Sequence, residues 1–71
     1  MKNSVFGQRL KKLRLERNLS QEKLAESFHL TRTAVTDWET RGKEPSFGML
    51  MDIAKFFNVT TDYLLGLVDE I

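Results

Sequence analysis

The chain has no cysteine, one proline, one histidine and one tryptophan in 71 residues. Lack of cysteine excludes a disulfide framework and a cysteine-based zinc site, and fits a reducing compartment. His29, with no cysteine or second histidine to join it, supplies neither a metal ligand set nor the base of a nucleophilic site. There is no glycine-rich phosphate loop and no pair of carboxylates in a plausible cleft, which argues against an enzyme and against a cofactor. No apolar run approaches the roughly 18–20 residues needed to cross a bilayer, and the opening MKNSVFGQRLKK lacks the apolar stretch of a signal peptide. A cytosolic protein with no membrane partner is expected. Repeats, low-complexity tracts and linkers are also missing, so residues 1–71 read as one domain, with a small core because a chain this short buries only about 60% of its unfolded surface.

What is present is polarity of charge. The net charge is only +1, but residues 1–23 carry seven basic side chains against two acidic ones, a balance of +5. Residues 44–71 carry one against five, a balance of −4, and the stretch between them is even. One face for a polyanion and another turned away from it would give this pattern. A solvated basic helix with an acidic tail would give it equally well.

The centre of the chain, Ser20–Gly42, reads as two short helices, Gln21–Phe28 and Arg32–Thr40, joined by a turn too short for them to lie antiparallel. They must cross steeply, as in a helix-turn-helix spanning 21–40. Ser20 and Thr31 have the side-chain oxygen that caps a helix start. Leu24, Ala25 and Phe28 share one face of the first helix, and Ala34, Val35 and Trp38 one face of the second. With those faces inward, Arg32, Thr33, Thr36 and Asp37 point outward. The turn opens at His29, where many helix-turn-helix units have glycine because a left-handed backbone is easiest there and histidine tolerates it only moderately, and Leu30 should reach the core.

On either side the signals are similar. Asn3 or Ser4 caps a first helix to about Arg17, with Phe6, Leu10 and Leu13 on its inner stripe and Leu15 half exposed. Gly7 interrupts it at a position where another backbone would pass close. Asn18 suits a left-handed helix end, Gly42 permits positive φ, and Pro45 fixes a bend. Ser46 caps a fourth helix to about Phe57, with Phe47, Leu50, Ile53, Ala54 and Phe57 expected on the buried side. Met49 and Phe56 share another face, which either widens the core or meets a second subunit. Thr60 caps a fifth helix, Thr61–Leu65, ended by Gly66, with Val59, Tyr63 and Leu64 sealing the core. The terminal LVDEI is apolar enough that it should either fold back or meet a partner.

Four fragments carry a family resemblance: Leu10-x-x-Leu13-Arg14, Ser20-Gln21-x-x-Leu24-Ala25, Val35-x-x-Trp38-Glu39-x-x-Gly42-x-x-Pro45, and Asp62-Tyr63-Leu64-Leu65-Gly66. In this order and spacing the chain resembles the repressor-type helix-turn-helix family of lambdoid phages and bacterial regulators, the XRE family. The resemblance implies an all-α, compact five-helix domain that binds double-stranded operator DNA, as a transcriptional regulator and most often a repressor, usually as a symmetric homodimer and without a cofactor or metal. It also implies that Gln21 reaches a phosphate, and that Arg14 and Glu39 form an internal ion pair whose remaining guanidinium donors face the DNA backbone.

On that footing the outward residues take roles. An α-helix fits a major groove about 12 Å wide, and its first turn meets the base edges. Arg32 is the candidate for a guanine, or failing that a phosphate. Thr33 offers a methyl to thymine and a hydroxyl to base or phosphate, and Thr36 sits within reach of either. Asp37 accepts from cytosine, orients Arg32 or Arg41, or disfavours wrong sequences. Thr31, Thr40, Arg41 and Lys43 are candidate phosphate contacts beside Gln21 and Arg14. The dimer contact is expected in segment 58–71, through Val59, Leu65, Leu67, Val68 and Ile71. The second reading is a protein-interaction adaptor, of antitoxin or antirepressor-binding type. Neutral or acidic residues at 21, 32, 41 and 43 would mark it, and here they are amide or basic.

Overall fold

The computed structural model describes residues 4–70, and within them the chain forms five helices and no strand: α1 (Val5–Glu16), α2 (Gln21–Ser27), α3 (Arg32–Thr40), α4 (Phe47–Phe57) and α5 (Thr61–Leu65). Four of these starts are fixed by a hydroxyl. Ser4, Ser20, Ser46 and Thr60 each accept the backbone N–H three residues on, at 2.9–3.1 Å, satisfying one of the donors a helix start leaves free. Asn3, the alternative cap for α1, lies outside the described residues. Thr31 has the extended backbone of a cap, but its hydroxyl makes no cap bond, contrary to expectation. Helices α1 and α2 end one residue earlier than expected, with Arg17 and Phe28 as their C-caps.

The core draws one fully enclosed side chain from every helix: Leu10, Leu24, Val35, Ile53 and Leu64, all 0% exposed. Burying an aliphatic side chain of this size contributes roughly 1.5–3 kcal/mol, so each helix is anchored chiefly by its inner stripe. Trp38 packs edge-on to Phe6 at 6.2 Å, closing α3 against α1. The same crossing explains Gly7. A Cβ there would collide with the Trp38 carbonyl oxygen and lie 3.1 Å from Glu39 Cα, so the two backbones touch as expected. The radius of gyration, 10.9 Å, matches the roughly 11 Å of a compact chain this long.

Met49 and Phe56 are half-buried against the core, which is the core-widening option. Phe56 contacts Phe28 and Phe57 edge-on at 5.2 and 4.9 Å, and the Arg17 guanidinium covers that aromatic row. Phe47 corrects the periodicity reading, being 86% exposed. It is the first residue of α4, immediately after its cap, and stands beyond the edge of the core. There it borders an open apolar groove of about 350 Å³ with Val5, Pro45, Leu50 and Leu65.

After Gly66 the backbone folds back onto α1 while its side chains do not. Leu67 is 71% and Val68 42% exposed, and Leu65, at the end of α5, is 49% exposed. Of the other residues expected in a dimer contact, Val59 is half-buried against the core and Ile71 lies outside the described residues.

Candidate nucleic-acid interface

Helix α3 has an inner face of Val35, Trp38 and Glu39 and an outer face that begins with Arg32 and Thr33, both exposed on its first turn. Thr36 and Asp37, one turn on, are half-buried. The reason lies in a polar network that sequence reasoning saw only in part.

Arg14 and Glu39 are paired as expected. Nε and Nη2 of Arg14 donate to the two carboxylate oxygens of Glu39 at 2.8 and 2.9 Å, in a bidentate fork. The third nitrogen of the guanidinium also has a partner inside the protein, and Nη1 and Nη2 each keep one further N–H. Nη1 donates to the Leu19 carbonyl at 2.8 Å, because a cation only 6% exposed must find partners inside the protein. Glu39 then accepts a third bond, from Gln21 Nε2 at 3.1 Å, and the Gln21 carbonyl oxygen accepts the Thr36 hydroxyl at 2.8 Å. The chain Leu19–Arg14–Glu39–Gln21–Thr36 thus joins α1, α2 and α3. Gln21 is held in one amide orientation with one N–H still free, and Thr36 keeps its methyl and lone pairs for anything outside. Removing one member of such a buried pair costs on the order of 3–5 kcal/mol, so the network is structural whatever else it does.

Beyond α3 the basic residues are open. Thr40 is exposed, with its hydroxyl turned back onto the Thr36 carbonyl at 2.7 Å. Arg41 and Lys43 are exposed on either side of Gly42, whose φ of 71° lets the chain turn there. The backbone amides of Arg41 and Lys43 both donate to the Asp37 carbonyl, at 3.0 and 3.3 Å, which shapes this turn. Of the options for Asp37, orienting Arg32 is not realised. Its Oδ1 lies 3.5 Å from Arg41 Nε with no hydrogen bond of its own, so a buried acceptor is left over. Arg41 is mostly solvated, and the pair is correspondingly weak. Thr31 is exposed at the head of α3 with its hydroxyl unspent. Arg14, Ser20, Gln21, Glu22 and Arg32 line one shallow depression, which brings the start of α2 beside the start of α3.

This surface offers cations, hydroxyls and one free amide N–H around a protruding helix end, suited to phosphate oxygens and base edges. Among the described residues there is no cluster of three or more potential metal ligands, and no helix long and apolar enough to cross a membrane.

A sequence model described as helix-turn-helix matches residues 10–64. The chain is 45% identical over 61 residues to the HTH-type transcriptional activator BcrR of Enterococcus faecalis, covering 86% of this chain and 30% of that protein. The fold superposes on the P22 c2 repressor, solved in complex with a synthetic operator, with a TM-score of 0.77 and 27% identity over 84% of this chain and 91% of that one. The restriction-modification controller protein C.AhdI of Aeromonas hydrophila gives a TM-score of 0.72 and 33% identity over the same shares. This chain spans 30% to 59% of the length of the curated relatives it matches.

Proposed function

This chain belongs to the XRE-type helix-turn-helix family, and from that premise we propose that it is a sequence-specific regulator that lays α3 in the major groove of an operator. The observation that carries this reading is the contrast within α3: Val35, Trp38 and Glu39 fix the helix inside, while Arg32 and Thr33 stand clear of the protein's own chain. A helix held rigidly on one side with an open first turn on the other is what base readout needs.

In this mechanism Arg32 donates to guanine O6 and N7, and Thr33 sets its methyl against a thymine. Thr36 contributes its methyl, since its hydroxyl is held by Gln21. Asp37 keeps Oδ1 buried, so it meets a cytosine amine only through its other carboxylate oxygen, or turns away sequences that lack one. Gln21 gives its free N–H to a phosphate, and Arg14 adds its field from the rim of the same depression. Thr31, Arg41 and Lys43 hold phosphates at either end of the helix, while Thr40, whose hydroxyl proton is donated to the Thr36 carbonyl, only borders them. Two copies, joined through the α5 side by Leu65, Leu67 and Val68 with part of Val59, set their α3 helices about 34 Å apart on a near-palindromic site. Occupying such a site blocks a promoter without further machinery, so repression is the default effect.

Selection of bound duplexes from a random pool at physiological salt tests this directly. The expected outcome is a near-palindrome with half-sites one helical turn apart. An unenriched pool refutes the reading.

A further inference from the structure

The polar chain through Gln21 has a direction, and each link fixes the next. A guanidinium only donates and a carboxylate only accepts, so Arg14 gives protons to Glu39 and never the reverse. Glu39 Oε1 lies 3.1 Å from the Gln21 amide, whose nitrogen must face it, because a carbonyl oxygen there would oppose the carboxylate with no proton between them. The Gln21 oxygen is thereby turned to Thr36, 2.8 Å from the hydroxyl. An amide oxygen cannot donate, so the one proton of that hydroxyl points inward at Gln21.

Only lone pairs are left on the Thr36 oxygen for anything outside the protein. Thr36 is half-buried, one turn beyond the exposed Arg32. Its neighbour Asp37 is a carboxylate and also only accepts. The first turn of α3 thus offers donors through Arg32, and the second turn offers acceptors. In a major groove the exocyclic amines of adenine and cytosine donate, while the keto oxygens of guanine and thymine accept.

We propose that Thr36 is a specificity-determining residue that accepts from the exocyclic amine of adenine or cytosine and turns away guanine and thymine, and that Gln21 sets this choice from behind without touching the base. The inference rests on the groove reading given above and names what one position of α3 selects there. Against a keto oxygen, Thr36 can donate only by rotating its proton away from Gln21, which leaves the amide oxygen without that partner. The discrimination is therefore worth about one hydrogen bond, roughly three- to tenfold in affinity. Its pattern identifies its origin: A and C on the facing strand are accepted alike, and G and T are refused alike.

Anisotropy titrations of the full chain use a duplex taken from the selected pool, with each base pair varied in turn, and compare the wild type with Thr36→Val, Thr36→Ser and Gln21→Leu. Circular dichroism confirms that each is folded. Thr36→Val, the same shape without the oxygen, locates the base pair read by Thr36 as the one whose preference flattens. There the wild type is expected to bind A and C within about twofold of each other, and G and T roughly three- to tenfold more weakly. Thr36→Ser, which keeps the hydroxyl, should show the same order. Gln21→Leu should weaken every duplex through the lost phosphate contact and, at that one pair, reduce the refusal of G and T to less than about twofold, because the hydroxyl proton is then free to turn outward. A wild type that prefers G or T there, a Thr36→Val protein that flattens no pair, or a Gln21→Leu protein that weakens all duplexes with preference unchanged overturns the proposal and leaves the groove reading standing. If Gln21→Leu does not fold, Thr36→Ser decides, since flattening of the pair by Thr36→Ser as by Thr36→Val overturns the proposal. A wild type with no preference at any pair overturns the groove reading and this proposal with it.

Discussion

Arg32 and Lys43 are both exposed cations, one at the first turn of α3 and the other just past its end, and their expected roles differ. Arg32→Ala should cost about 1–3 kcal/mol at one base pair and flatten preference among operator variants. Lys43→Ala should weaken all duplexes alike. Titration against single-base variants separates them, and uniform weakening by Arg32→Ala would remove its base-reading role. The exposure of these residues was legible because their apolar neighbours Val35 and Trp38 define the opposite face. Other residues were less legible. Arg9 binds main-chain carbonyls 54 and 59 positions away, and carbonyls carry no letter in a sequence. The Gln21–Thr36 bond joins two helices through side chains that each read as solvent-facing. Phe47 was misread because periodicity tells which face a residue occupies, not where the core stops.

At the level of the helices, two glycines that look alike in the sequence should respond oppositely to the same substitution. Gly7→Ala forces a methyl group into the α1–α3 crossing, where backbone rather than a movable side chain blocks it. A loss of about 3 kcal/mol or more is expected, at or beyond the upper end for overpacking. A Cβ at Gly48 meets nothing within 4 Å, so Gly48→Ala should stabilise α4 by about 0.4–1 kcal/mol. Urea denaturation measures both, and a neutral Gly7→Ala would mean that the helices can separate freely. The five spans were readable because caps, stripes and terminators agree: Ser4, Ser20, Ser46 and Thr60 start helices, and Asn18, His29, Asn58 and Gly66 end them. Thr31 shows the limit, since its backbone obeys the rule while its hydroxyl stays free.

Over the whole molecule, charge polarity and shape bear on the same question. If Arg41 and Lys43 each neutralise one phosphate in both copies of a dimer, log affinity should fall against log salt with a slope of about −3 to −4. Filter-binding or anisotropy titrations across a salt series give this value, and a flat response would rule out phosphate anchoring. The buried network running from Leu19 to Thr36 also divides the outer side of α3 into two kinds of position. Positions 32 and 33 make no side-chain hydrogen bond to the frame and can be rewritten to suit a new target. Position 36 is bolted to Gln21 and through it to the ion pair, so retargeting that alters Thr36 must re-engineer Gln21 as well.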